Sequence, residues 1–151
     1  MEHASDAYLL NGMEEYEDWC QRMLEVIGLD VRERDDFITF WAQRIWEYGP
    51  TVIVRVVPES DVEKSCGLSV KAQSCEEQKE VPVQIKRVYV TMVVGKDVPP
   101  ELSGKMDQIH VWEKEKGSAI TLPKELRSSF PIVRDPEAFT VIEWGGVFIT
   151  V

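Results

Sequence analysis

The chain has 151 residues, which fits one domain whose hydrophobic core needs neither metal ions nor disulfides. Hydrophobic residues make up 44% and charged residues 29%, and this balance excludes a wholly disordered chain. The formal net charge of −10 opposes direct binding to nucleic acid or to an anionic membrane, and it favours a protein partner with a basic surface.

The first twelve residues, MEHASDAYLLNG, lack the basic and apolar pattern of a signal peptide. We predict that residues 1–12 form a flexible N-terminal segment of a single domain that spans residues 1–151. No window of about 18 apolar residues is present to cross a membrane. The sequence therefore predicts a soluble, cytoplasmic protein without membrane contact, and it leaves the oligomeric state open.

Met13–Ile27 has the spacing of an amphipathic helix, with apolar side chains at Tyr16, Cys20, Met23, Leu24 and Ile27. Gly28 suits the C-terminal end of this helix. The segment from Met1 to Asp36 holds eleven acidic and three basic residues, so the acidity of the chain is concentrated there. The first turns of the helix predict either a solvated acidic face or a docking surface, formed by Glu14, Glu15, Glu17 and Asp18.

A second helix follows after a very short connection. Asp30 is predicted to cap it, and Glu33 stands at the capping-box position three residues later. One face carries an apolar row at Phe37, Ile38, Trp41, Ile45 and Tyr48. Gly49 and Pro50 end the helix, and the short connection predicts a helical hairpin.

Two strands are predicted next, Thr51–Val57 and Val81–Gly95, because both are rich in β-branched residues. The second strand alternates and turns one face towards a core through Val88, Val90, Met92 and Val94. The polar stretch Glu59–Glu80 between them is long for a structureless loop and predicts one helical turn. Cys66 and Cys75 allow a disulfide across it, but three cysteines in a chain without a leader favour free thiols.

The last third of the chain is less regular. Pro99–Pro100 predicts an extended linker, and Pro123 is predicted to open a single helical turn. In the C-terminal stretch FTVIEWGGVFITV, the pair Gly145–Gly146 predicts a tight hairpin between two short strands. Together the elements predict an α+β fold in which an N-terminal helical hairpin packs on a mostly antiparallel sheet.

Catalytic signatures are absent from the sequence. It contains no Walker loop, no GxGxxG and no GxSxG, and nothing in it points to a metal site or a cofactor. Glu143 is a weak catalytic candidate, because partial burial beside Trp144 would raise the pKa of its carboxyl group, and His110 is a second one. A salt-bridged carboxylate and a structural histidine are the simpler interpretations.

Five tryptophans is a large number for this length. Trp41 is predicted to lie in the core, which is the usual place of such a side chain. Exposed tryptophan next to acidic residues would suit a protein-binding surface, and the candidates are Trp19 and Trp144.

Three stretches, LDVRERDDFITFW, RVYVTMVV and FTVIEWGG, resemble the C-terminal part of an uncharacterised family of bacterial and fungal proteins. In that family a helix of the type L-x-E-R-E-x-x-D-F-I-T-Y-W precedes an R-V-F-M-type strand and a final V-V-E-W-G-G. The resemblance runs from about Leu29 to Gly146, whereas the family's upstream K-P-V-I-Y-L-Y-P-like motif is absent and its W-L-P continuation is replaced after Trp41. It implies a folded module of unknown activity, with no catalytic residue to carry over.

We therefore expect a non-enzymatic protein-interaction module with an acidic helical face. One alternative is an acidic inhibitor or immunity-type protein that covers a basic active site. The other alternative is a small enzyme that uses Glu143 with His110, which requires the two side chains to share a pocket.

Overall fold

The computed structural model describes residues 7–73, 80–115, 117 and 119–151. It confirms the α+β class, with an N-terminal helical hairpin on one face of a five-stranded sheet. Within the described residues no helix is both long enough and apolar enough to span a bilayer.

The helical hairpin follows the sequence pattern closely. Helix α1 spans Met13–Ile27 and ends at Gly28, which adopts the left-handed conformation with φ of 106°. Helix α2 spans Val31–Tyr48 and begins with the predicted capping box, in which the Asp30 carboxylate accepts from the Glu33 backbone N–H at 2.9 Å. The capping box satisfies backbone N–H groups at the start of the helix that would otherwise lack a partner. The residues Asp30 and Glu33 therefore determine where α2 begins.

The main sheet contains the strands β1 (Tyr8–Asn11), β2 (Thr51–Val57), β5 (Val83–Gly95), β6 (His110–Val111) and β7 (Phe139–Thr150). Their order is β6-β1-β2-β5-β7. The inner pairs β1–β2 and β2–β5 are antiparallel, whereas the outer pairs β1–β6 and β5–β7 are parallel, so the sheet is mixed. A separate antiparallel pair joins β3 (Ala72–Gln73) to β4 (Glu80–Val81).

The two faces of the sheet pack differently. The face predicted from the alternation in β5 lies against the helical hairpin and is fully buried at Val88, Val90, Met92 and Val94. The opposite face carries a smaller cluster around Ile53 and Ile109. The short helix α3 (Glu59–Ser65) also contacts β5 and confirms the helical turn predicted in the polar stretch. Residues 74–79, including Cys75, lie outside the described residues.

Two predictions for irregular segments are wrong. Residues 8–11, expected within a flexible segment, form β1, because Tyr8 and Leu10 are buried between β2 and β6. The segment after Pro99 is not wholly extended, since helix α4 (Pro100–Ser103) begins at Pro100. Proline fits the first turn of a helix because the backbone donor it lacks would have no helical partner there. A 3-10 turn at Lys124–Leu126 follows Pro123 as predicted.

The predicted Gly145–Gly146 hairpin is also wrong. Both glycines lie inside one uninterrupted strand, β7, which runs parallel to β5 through twelve paired positions. Gly146 faces Val90, and a Cβ atom there would collide with the Val90 carbonyl oxygen, so the strands approach too closely for a side chain. Glycine is therefore needed at position 146 because the backbones of β7 and β5 approach closely there, which is a common reason for glycine within a strand.

Candidate acidic cleft

A cleft of about 980 Å³ opens between α1, α2 and α5 (Trp112–Glu115). Among the described residues, its lining includes six carboxylates and no lysine, arginine or histidine; the acids are Glu14, Glu15, Glu17, Asp18, Asp35 and Glu113. All four acids that the sequence analysis named on α1 therefore share one concave surface. Asp35 and Glu113 are additional members that it did not name.

The helical period explains why the acids meet. Positions 14, 17, 18 and 21 of α1 are spaced three, four and seven residues apart and lie on one side of the helix. Asp35 and Thr39 occupy the facing side of α2. The hairpin brings the two sides together, and the Gln21 amide donates to the Asp35 carboxylate at 3.2 Å. This stripe of acids was present in the sequence as a helical pattern.

Helix α5 closes the cleft through a long-range contact. The parallel pairing of β6 with β1 places α5 beside α1, and the Trp112 indole N–H donates to Asp18 at 2.9 Å. The Trp112 side chain is buried and forms part of the cleft wall, and its hydrogen bond to Asp18 ties that wall to α1. Glu113 follows Trp112 and points its charge into the same region. A parallel pairing over about a hundred residues leaves no local pattern, so the sequence did not reveal Glu113.

The carboxylates of the cleft fall into two groups. Glu15 accepts from the Asn11 backbone N–H at 2.6 Å, Asp18 accepts from the Trp112 indole and lies 4.0 Å from Arg22, and Asp35 accepts from the Gln21 amide. Glu14, Glu17 and Glu113 make no side-chain hydrogen bond or ion pair with any other described residue, and all three are exposed. These three charges are available to a ligand without loss of an internal contact.

The acids are spread along the cleft instead of converging on one point. In the part of the chain that the structure describes, no three histidine, cysteine, aspartate or glutamate side chains are arranged to hold a metal ion. Comparisons of the chain with protein-family models, with curated proteins and with solved structures gave no match. The resemblance to the bacterial and fungal family stays a prediction. The cleft must therefore be interpreted from its own chemistry.

The two tryptophans proposed for binding do not line the cleft. Trp19 is fully buried, so the expectation that it contacts a partner is wrong; the helical period turns its side chain into the core. Trp144 is half-buried and packs edge-on against Phe37 and Phe40 on the β7 side of α2. The cleft contains Trp112 instead.

Glu143 belongs to a different cluster, centred on Arg87. The Arg87 side chain is only 1% exposed and donates through Nε to Glu143 at 2.6 Å, and also to the carbonyl of Cys66. Glu63 lies 3.3 Å from the guanidinium. The Tyr89 hydroxyl donates to the other oxygen of Glu143 at 2.7 Å. Glu143 is thus a salt-bridged carboxylate on an edge strand.

The electrostatics of this cluster contradict the expected pKa shift of Glu143. The hydrogen bond from Tyr89 lowers the pKa of Glu143, burial acts in the opposite direction, and Arg87 lowers it further. Burial would lower the pKa of Arg87, but its hydrogen bonds with Glu143 and Tyr89 raise it above the ordinary value. Both groups are therefore held in their charged forms.

His110 and Glu143 do not share a pocket. His110 lies on β6 and Glu143 on β7, which are the opposite edges of the five-stranded sheet. Four strand spacings separate these edges, roughly 19 Å. His110 stacks on Tyr8 with ring centroids 5.0 Å apart, and its Nδ1 lies 3.3 Å from Glu115. The geometric condition for the enzyme hypothesis that joins the two residues is not met.

Proposed function

We propose that this chain is a non-enzymatic protein-interaction module whose acidic cleft binds a lysine- or arginine-rich segment of a protein partner. The observation that supports it is that six carboxylates line one concave surface, with no basic side chain among the described residues of that lining. Three of these acids have no partner among the described residues, so a cationic ligand would satisfy charges that the fold leaves unpaired.

The shape of the cleft favours an extended basic segment over a single ion. A volume of about 980 Å³ accommodates several side chains. Carboxylates on three separate helices can each meet a different ammonium or guanidinium group, which matches a row of charges along a peptide. Nucleic acid and anionic membranes would be repelled by the same surface. We also infer a cytoplasmic location, supported by the free thiols of Cys20 and Cys66.

The test is the binding of a fluorescent peptide of ten lysines, measured by anisotropy at low salt. The diagnostic variant combines Glu14→Gln, Glu17→Gln and Glu113→Gln, which remove three exposed charges and no internal contact. We expect its affinity for the peptide to fall about tenfold, since each lost exposed pair weakens binding by a few tenths of a kcal/mol to 1 kcal/mol.

A matched control separates the cleft from net charge. Glu25, Glu125 and Glu137 are exposed glutamates outside the cleft lining, so their triple replacement by glutamine changes the net charge equally. The control variant should bind the lysine peptide as the unmodified chain does. Equal losses in both triple variants would contradict the proposal, because they would show that overall charge alone attracts the peptide.

The physiological partner can then be sought with the same three proteins. Each would be immobilised and exposed to source lysate at low and high salt. A relevant partner is retained by the unmodified chain and the control variant, is lost with the cleft variant, and is released by salt. If the cleft variant and the control variant retain the same proteins equally well, the cleft is not the binding site of those proteins.

A further inference from the structure

The outer strand β7 presents a second surface, at the other edge of the sheet from β6. We propose that this edge pairs with the β7 strand of a second copy of the chain, antiparallel and about a two-fold axis. The two five-stranded sheets would then form one continuous sheet. The inference goes beyond the proposed function and does not depend on it.

The free hydrogen-bonding groups of β7 can be assigned from its pairing with β5. The Phe139 N–H donates to Pro82 and the Val151 N–H donates to Val94, so odd-numbered residues direct their backbone groups towards β5. The even-numbered residues therefore direct theirs outward: Thr140, Ile142, Trp144, Gly146, Phe148 and Thr150. No described strand pairs with this side of β7. Twelve residues extend over roughly 40 Å, which is long for an unpaired edge.

The edge lacks the features by which sheet proteins usually prevent such pairing. β7 contains no lysine, arginine or proline, and its single charged residue, Glu143, is already bound by Arg87. On the face away from the helices it exposes apolar side chains at Phe139, Val147 and Ile149, which are 55%, 57% and 44% exposed. A long, apolar, unguarded edge is a template for another strand.

The sequence of β7 is complementary to itself in an antiparallel register that overlaps residues 140–150 of the two copies. That register centres on Gly145 and places Ile142 opposite Phe148, Val141 opposite Ile149, and Thr140 opposite Thr150 of the second copy. The bulky Trp144 then faces Gly146, and each outward-directed residue faces another one. Apolar and Thr–Thr pairs of this kind each stabilise an antiparallel pair by about 0.2–1 kcal/mol.

The charges also permit a second copy in this register. Glu143 faces Val147 of the other chain, and the two Glu143 residues are four positions apart, about 14 Å. The acidic cleft adjoins Asn11 and α5, beside β1 and β6 at the other end of the sheet. The clefts of two copies would therefore point away from each other, and their mutual repulsion would be screened.

Analytical ultracentrifugation over a range of concentrations tests the proposal. We expect a dimer of the unmodified chain. Val147→Glu would place a second carboxylate opposite Glu143 of the other copy and should raise the dimer dissociation constant at least tenfold, whereas Val147→Lys should raise it less. Val133→Glu is the matched control, because Val133 is an exposed valine outside β7, and it should leave the dimer unchanged. A monomer at every concentration would overturn the proposal.

A cross-link tests the register. Gly145 directs its backbone groups towards β5, so two facing Gly145 residues would form a non-hydrogen-bonded pair with Cα atoms about 4.5 Å apart, within disulfide range. Gly145→Cys, in a background with Cys66→Ser and Cys75→Ser, should form a covalent dimer under mild oxidation. A Cβ atom at Gly145 meets the Tyr89 ring at an ordinary 3.5 Å, so the fold tolerates it. Val147→Cys should cross-link poorly, and equal yields from both variants would reject this register.

Discussion

At the scale of single residues, Arg87 determines the role of Glu143. A guanidinium that is 1% exposed must be paired, and Glu143 supplies the shortest of its ion pairs at 2.6 Å. The same carboxylate is held by Tyr89 at 2.7 Å, so both of its oxygens are engaged. We conclude that Glu143 stabilises the junction of β5 and β7, which explains an acid at the centre of an apolar strand.

This role predicts a pH-dependent loss of stability in Glu143→Gln. The side chain is 34% exposed, so we expect the free energy of unfolding to fall by only about 1–2 kcal/mol at neutral pH. The folded pKa of Glu143 lies below the unfolded value of about 4.3, so its stabilising effect is present above that pH and is lost as the pH falls through the folded pKa.

Urea unfolding at several pH values between about 7 and 3 measures this effect. The difference between the unmodified chain and Glu143→Gln should shrink as the solution becomes more acidic. Glu137→Gln is the control, since Glu137 is exposed, and it should show no such difference. A Glu143→Gln protein as stable as the unmodified chain at neutral pH would contradict the structural role.

At the scale of elements, the stability of β7 depends more on Gly146 than on Gly145. Gly146→Ala should destabilise the fold by about 1–3 kcal/mol, because the new methyl group would collide with the backbone of β5 at Val90. Gly145→Ala should cost less than about 1 kcal/mol, since its methyl group would only touch the Tyr89 ring. Denaturant unfolding of the two variants gives the comparison, and equal effects would reject the close-approach explanation.

The sequence predicted those elements whose signals are local. The helix caps at Gly28 and Asp30 and the alternation around Val90 are short-range patterns, and the structure confirms them. The parallel partners of β1 and β5 come from distant parts of the chain, so the sequence predicts no strand at β6 and divides β7 at its glycines. A glycine pair fits a turn and a close approach equally well, and only the position of Val90 distinguishes them.

The candidate site was predictable in part for the same reason. The acids of α1 are recognisable because four of them fall within five residues, and their helical spacing assigns Glu14, Glu17 and Asp18 to one face. The pairing of β6 with β1 places Glu113 and the buried Trp112 in the cleft. This pairing joins distant parts of the chain, so no local sequence pattern predicts it. Trp19 adjoins acids in the sequence, but the helical period turns its side chain into the core, so the prediction of a binding role for it is wrong.

At the scale of the whole molecule, the two proposed surfaces occupy opposite ends of the sheet. The end at β6 and β1 carries the acidic cleft, whereas strand β7 at the other end is largely apolar and contains a single charged residue, Glu143, which is paired with Arg87. A dimer through β7 would leave both clefts accessible and would present two of them to a partner. A basic partner with two binding segments would then gain affinity from the effective concentration of the second cleft.

The net charge of −10 and the six carboxylates of the cleft predict that association with a basic ligand is electrostatically steered. Raising the salt from about 20 to about 200 mM should slow association with the lysine peptide about tenfold, while the dissociation rate changes less. Stopped-flow fluorescence separates the two rates. The cleft variant should show a shallower salt dependence than the control variant of equal net charge. If association is independent of salt, the acidic-docking proposal and the related inhibitor hypothesis both fail, because both depend on long-range attraction.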